Sequence, residues 1–317
     1  MRTAASPQAE PRYTQVVIHP RQERLRSMDK SGGAWSLTDE QLAQAPLVFR
    51  EGLLDGQVVL VSGGGGGFGR AMAYVFARLG ARVAICGRRP ERLQRTADGI
   101  RHHLGLEVFC RSMTIRDPAQ VAGLFADVVG HHGRLDILVN NAGGQFPQAA
   151  LDYSVKGWHA VIDTNLNGTW YMMQQAARHW RDAGAAGSII NIVAGVERGM
   201  PQIAHSCAAR AGVIYLSKSV AVEWAPLAIR VNCIAAGAIA SDGLDVYEPA
   251  VAESFRVSNP MLKLGDVLDI AQGAAYLAAP SAQYVTGEVL HIDGGRQMWG
   301  EDWPGGIPEA FRRDGGR

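Results

Sequence analysis

The sequence predicts an α/β domain: a doubly wound, parallel, seven-stranded sheet with helices on both faces, carried as a single domain behind an N-terminal extension. Three observations predict it. Short apolar, β-branched runs at 57–62, 81–86, 106–112, 135–140, 187–193, 229–234 and 287–292 have the composition of strands buried on both faces. Between them lie stretches of helical length and pattern at 67–80, 90–104, 117–132, 154–182, 203–226 and 266–279. Strand and helix therefore alternate, as parallel strands joined by helical crossovers require. The first crossover, finally, opens with a glycine-rich turn.

The elements follow in order. Residues 1–50 are polar and rich in Pro and Arg, with a short helix expected over 37–45, started by the capping pattern at Thr38. They read as an extension outside the main fold, which occupies 51–300 and leaves 301–317 as a tail. Residues 58–69 read V-V-L-V-S-G-G-G-G-G-F-G. Glycine lets the chain turn tightly and approach a pyrophosphate, and the following helix presents unpaired N–H groups and the positive end of its dipole. A flexible linker has similar letters, but the strand before and the helix after point to a dinucleotide site. Later, residues 241–264 interrupt the alternation after the carboxyl end of a strand, where ligands bind in such folds, and read as a substrate lid.

Composition narrows the function. The chain has 317 residues, 47% hydrophobic and 19% charged, with a formal net charge of +1, so nothing implies nucleic acid or an anionic membrane as partner. No segment reaches the ~18 apolar residues of a membrane span. Cys86, Cys110, Cys207 and Cys233 have no metal or redox spacing, and no metal is expected. The N-terminus lacks an apolar signal core and the C-terminus matches no peroxisomal address, so the expected location is cytoplasmic.

Three motifs in order, Ser62-Gly63 through Gly67-Phe68-Gly69, Asn140-Asn141-Ala142-Gly143, and 287–295 (G-E-V-L-H-I-D-G-G), resemble the short-chain dehydrogenase/reductase family over about residues 54–296. Residues 143–146, 156–161, 164–166 and 205–213 are similar to its trans-2-enoyl-CoA and 2,4-dienoyl-CoA reductase branch. The resemblance implies a Rossmann fold and a nicotinamide cofactor held by Ser62, Gly63, Gly67, Phe68, Gly69, Thr114, Ile115, Asn140, Ala142, Gly143, Gly237 and Ile239. Cofactor choice follows from charge. Where a carboxylate would receive the ribose 2′-hydroxyl of NAD the chain has Gly87, followed by Arg88 and Arg89, which suit the 2′-phosphate of NADP(H).

The catalytic pattern departs from the family. Its Tyr and Lys, four residues apart on one helical face, are here Ser206 and Arg210. The serine position falls at Val193-Ala194, and only Asn165 of the family's set remains. Guanidinium does not shuttle protons. Losing the tyrosine acid harms carbonyl reduction more than reduction of an enoyl thioester, whose enolate oxygen needs donors rather than a strong acid. The expected activity is therefore NADPH-dependent reduction of the C=C bond of an enoyl or dienoyl acyl-CoA, with Ser206 donating to the thioester oxygen and Arg210 holding the cofactor ribose. A catalytically degenerate NADP-binding subunit or scaffold, or a reductase of another carbonyl-conjugated substrate, remains the alternative. Tyr215 lies about half a turn round the helix from Ser206 and reads as packing, while His205 is adjacent to the site. Apolar stripes with Trp158, Trp170, Trp180, Tyr215 and Trp224 exceed what one sheet face needs, and the resemblance implies a homotetramer.

Overall fold

The computed structural model describes residues 35–298. Seven parallel strands form its sheet: β1 (Val58–Ser62), β2 (Arg82–Gly87), β3 (Val108–Ser112), β4 (Ile137–Asn140), β5 (Gly187–Ala194), β6 (Ile229–Ala236) and, last in the chain, β9 (Val289–Ile292). Their spatial order is β3-β2-β1-β4-β5-β6-β9. Two short strands, β7 (Ile239–Ala240) and β8 (Gly265–Asp266), pair separately and bracket the expected lid. The order reverses direction between β1 and β4, which opens a crevice at their carboxyl ends.

Period-2 alternation divides the core. From β1, Val59 and Val61 enter one apolar cluster, Val58 and Leu60 the other. The first cluster is covered by α2 (Gly67–Arg78), α3 (Pro90–Leu104) and α9 (Val267–Ala278). The second is covered by α4 (Pro118–His132) and α6 (Thr169–Ala183), with part of α7 (Ala204–Trp224). β1 is buried at all five positions, so its unbroken V-V-L-V run is what a central strand of a covered sheet requires. Among the described residues, no helix is long and apolar enough to cross a membrane.

The structure differs from expectation at three places. The short helix at the N-terminal side, α1 (Asp39–Gln44), has the expected Thr38 cap as a full capping box with Gln41, but it packs on the domain. Leu42 is buried in the first core cluster, and Asp39 accepts hydrogen bonds from Arg70 and Tyr74. The described part of the expected extension, 35–50, thus belongs with the domain. Residues 1–34 and the tail at 301–317 lie outside the described residues. The expected helix 154–182 is divided into α5 (Val155–Ile162) and α6 by a π-helical turn at Asp163–Gly168. Segment 241–264 folds into short helical turns and α8 (Pro249–Ser254). Its buried Leu244, Ala252 and Leu264 share a small cluster with Ala240, beside Trp35.

Candidate active site

A cavity of about 510 Å³ opens at the carboxyl ends of the strands, a size suited to a bound small molecule or cofactor. Its floor is the glycine turn between β1 and α2. Gly63 has φ +70, in the left-handed region, and its N–H donates to the Cys86 carbonyl at 2.7 Å. Any side chain on Gly69 would strike the Gly63 carbonyl, so the first turn of α2 lies close under the turn. Gly66 caps α2 without a side-chain bond, leaving its first N–H groups directed at the cavity as an anion site.

Ser62 shapes this turn from beneath. Its hydroxyl is buried and accepts from the backbone N–H groups of Asn141 and Ala142, each at 3.0 Å. The Asn141 amide in turn donates to the Ser62 and Gly63 carbonyls. Asn140 points into the interior instead, donating to Asn191 at 2.8 Å. Ser62, Gly69, Asn140 and Ile239, all expected at the cofactor, thus lie outside the cavity wall, whereas Gly63, Gly67, Phe68, Arg88, Arg89, Thr114, Ile115, Ala142, Gly143, Arg210 and Gly237 line it. Asn141 lines it too, as the second asparagine of the same motif.

Three arginines surround one end. Arg88 and Arg89 follow Gly87 at the end of β2, and Arg92 joins them from the first turn of α3. Sequence reading did not single out Arg92, although a residue three positions after Arg89 at a helix start shares its face. Burial pushes the nearby Cys86 thiol up to about 12, so it is neutral and no nucleophile.

At the opposite end the wall consists of Ile192, Val193, Ala194, Ala236, Gly237 and Arg210. Arg210 donates to the Ile192 carbonyl at 2.8 Å, and its guanidinium lies so close on Gly143 that a β-carbon there would collide with it. Burial lowers its pKa to about 10, which still leaves a cation at neutral pH. Val193 and Ala194 bring no hydroxyl to this end. Ser206, one turn before Arg210, is buried at 2% exposure and is not part of the cavity wall.

Asn165 is buried in the π-helical turn. Its side-chain oxygen accepts from the Gly144 N–H at 3.0 Å, and its amide donates to the Gly144 carbonyl at 2.9 Å. Both ends of the side chain therefore clamp the backbone N–H and C=O of one residue in the loop after β4, and Asn165 positions that loop. His205 stacks on Tyr153 with ring centroids 4.5 Å apart and meets the edge of Phe146. Its Nδ1 accepts from the Ser206 N–H, burial lowers its pKa, and its Nε2 has no partner among the described residues. Tyr215, expected as packing, is 70% exposed on the outer side of α7.

The expected lid contributes Ser241, Asp242 and Gly243 to the wall, and it is tied across the cavity at two points. Gln145 donates to the Tyr247 hydroxyl at 2.8 Å, and Arg92 pairs with Asp242 at 3.4 Å.

These features fit a nicotinamide dinucleotide: a glycine cradle that a β-carbon would fill, an uncapped helix N-terminus for the pyrophosphate, and arginines at the ribose end. Comparison with known proteins agrees. The family model described as enoyl-(acyl carrier protein) reductase matches residues 63–297. A probable 2,4-dienoyl-CoA reductase of Bacillus subtilis is 38% identical over 77% of this chain and 98% of its own length. The peroxisomal 2,4-dienoyl-CoA reductase of Mus musculus is 34% identical over 86% of this chain and 94% of its own. Among solved structures, a 3-ketoacyl-(acyl-carrier-protein) reductase from Brucella melitensis, complexed with NADH, superimposes with a TM-score of 0.71 at 30% identity, covering 77% of this chain and 99% of that one. With the sheet order, the glycine turn and these matches in agreement, the chain belongs to the short-chain dehydrogenase/reductase family of oxidoreductases, among relatives that include 2,4-dienoyl-CoA reductases.

Proposed function

We propose that this protein reduces the C=C bond of an enoyl or dienoyl acyl thioester, with NADPH as reductant. The observation that carries the reading is the reacting end of the cavity, where Arg210 supplies a fixed cation and Val193 and Ala194 supply no acid. The similarity to dienoyl-CoA reductases supports the substrate class.

The residues divide the work. The glycine turn and the first N–H groups of α2 receive the pyrophosphate, Arg88, Arg89 and Arg92 the 2′-phosphate, and Thr114 and Ile115 flank the adenine end. Bound there, the dinucleotide would supply a hydride, to the β-carbon of an enoyl thioester or the δ-carbon of a dienoyl one. Negative charge then collects on the thioester oxygen, and Arg210, which its spacing assigned to the cofactor ribose, stabilises it here by charge and N–H donation. Ser206, buried and off the cavity wall, is not given the donor role its spacing suggests. Asn165 acts one step removed, by fixing the backbone of Gly144 and so the approach of Gln145 and Phe146. The α-carbon takes its proton from solvent, which demands no tyrosine.

The test is consumption of NADPH with crotonyl-CoA, a longer enoyl-CoA, a 2,4-dienoyl-CoA and a 3-ketoacyl-CoA. Turnover of the unsaturated thioesters above the ketone supports the reading. NADPH binding without turnover of any of them favours a scaffold role. The four free thiols suit a reducing compartment such as the cytoplasm.

A further inference from the structure

The carboxylate of Asp242 lies on the glycine turn. A β-carbon built on Gly66 would come within 2.8 Å of one of its oxygens, and one built on Gly67 within 2.9 Å of the other. The carboxylate therefore stands over the uncapped first turn of α2, where N–H groups and the helix dipole favour an anion. It also pairs with Arg92 at 3.4 Å, and the stem of Arg92 rests against Gly65. Asp242 reaches this place from the segment between β7 and α8, 150 residues away in sequence from Arg92.

A carboxylate suits this position only while no phosphate is there. Two like charges on one helix N-terminus repel, and both would compete for the same N–H groups. We infer that Asp242 is a competing anion built into the cofactor site: it occupies the pyrophosphate position and neutralises Arg92 in the cofactor-free protein, and dinucleotide binding displaces it. Arg92 changes partner in that exchange, from carboxylate to phosphate. Asp242 thus sets the affinity for the cofactor and ties its entry to release of the 241–264 segment at that end. This rests on the dinucleotide reading above.

The double exchange makes a specific experiment possible. Binding of NADPH and NADH is titrated for the wild-type protein, Asp242→Asn, Asp245→Asn, Arg92→Gln and the Arg92→Gln/Asp242→Asn pair. Asp245 is exposed in the same segment, so its substitution makes the same change in net charge away from the glycine turn. Asp242→Asn is expected to bind both dinucleotides about tenfold more tightly, and Asp245→Asn within about twofold of wild type. Arg92→Gln is expected to weaken NADPH binding by a larger factor in the Asp242→Asn background than in the wild type. In the wild type its removal also dissolves the pair that competes with phosphate, which offsets part of the loss. Unchanged or weaker binding by Asp242→Asn overturns the inference, as does an Arg92→Gln effect equal in the two backgrounds. A wild-type protein that binds neither dinucleotide overturns the cofactor reading itself, whereas wild-type binding with no gain in Asp242→Asn overturns the inference alone.

Discussion

Arg210 bears the heaviest chemical demand on a single side chain. Its replacement by Met keeps the length and removes the cation, and it is expected to lower kcat/KM on an enoyl-CoA by roughly 100- to 1,000-fold, the scale for losing one oxyanion donor. Ser206→Ala, off the cavity wall, is expected to stay within about tenfold of wild type; a 100-fold loss there would reassign the donor. At the other end, Arg88→Ala is expected to weaken NADPH by about 10–100-fold and leave NADH nearly unchanged, as loss of a charged 2′-phosphate pair would. Burial lowers the His205 pKa from its ordinary 6.5, so the unfolded chain takes up the proton more readily. The sign follows: this residue favours folding above about pH 6.5, and its contribution falls as pH drops below that. His205→Gln should therefore flatten the loss of stability between about pH 6.5 and 5, followed by urea unfolding at each pH. At this scale the sequence exposed what local chemistry determines. Gly87-Arg88-Arg89 was readable because strand end and charge lie together in the chain. Asp242 was not, because its meeting with Gly66 and Arg92 exists only after folding.

Among the elements, the π-helical turn at Asp163–Gly168 gives Asn165 its clamping position. The widened turn lets one buried side chain hold both backbone polar groups of Gly144, and π-helical turns recur at functional sites. Asn165→Ala removes two hydrogen bonds and leaves a backbone N–H and C=O without them. It is expected to destabilise the protein by about 2–4 kcal/mol, measured by urea unfolding, and to raise KM through the loosened loop. A neutral variant would mean that water replaces the clamp. Helix α1 carries a comparable expectation: Leu42→Ala should cost about 2–5 kcal/mol, because Leu42 is 1% exposed in the main core. The sequence located α1 but not its docking, and it read the segment that carries the π turn as one unbroken helix. Thr38 announced the start of α1 through its cap, yet a six-residue helix with few apolar positions has no periodicity from which docking could be read. The π turn was missed because helical character continues through 154–182, with no proline to mark a boundary there.

For the whole molecule, the strand–helix alternation was almost fully legible, because a sheet covered on both faces forces unbroken apolar runs and regular crossovers. Of the aromatics read as stripes wider than one sheet face needs, Trp180 is fully buried and donates to the Leu135 carbonyl, so it belongs to the monomer core. Tyr215 and Val222, seven residues apart on one side of α7, are 70% and 77% exposed, and Trp170 stacks on Trp224 nearby. We propose that this face packs on a second copy of the chain, within a tetramer. Light scattering should then give a multiple of the 34.0 kDa monomer, and Tyr215→Glu with Val222→Glu should reduce it; a wild-type monomer at micromolar concentration would contradict the assembly. The central claim, a cavity that reduces conjugated C=C bonds by charge rather than by acid, is tested most directly by one comparison. Oxidation of NADPH is followed for wild type and Arg210→Met with a 2,4-dienoyl-CoA, an enoyl-CoA and a 3-ketoacyl-CoA of equal chain length. The account predicts turnover of the unsaturated thioesters, at least tenfold above the ketone in kcat/KM, and its collapse in Arg210→Met. Faster reduction of the ketone, or full activity without Arg210, would contradict it.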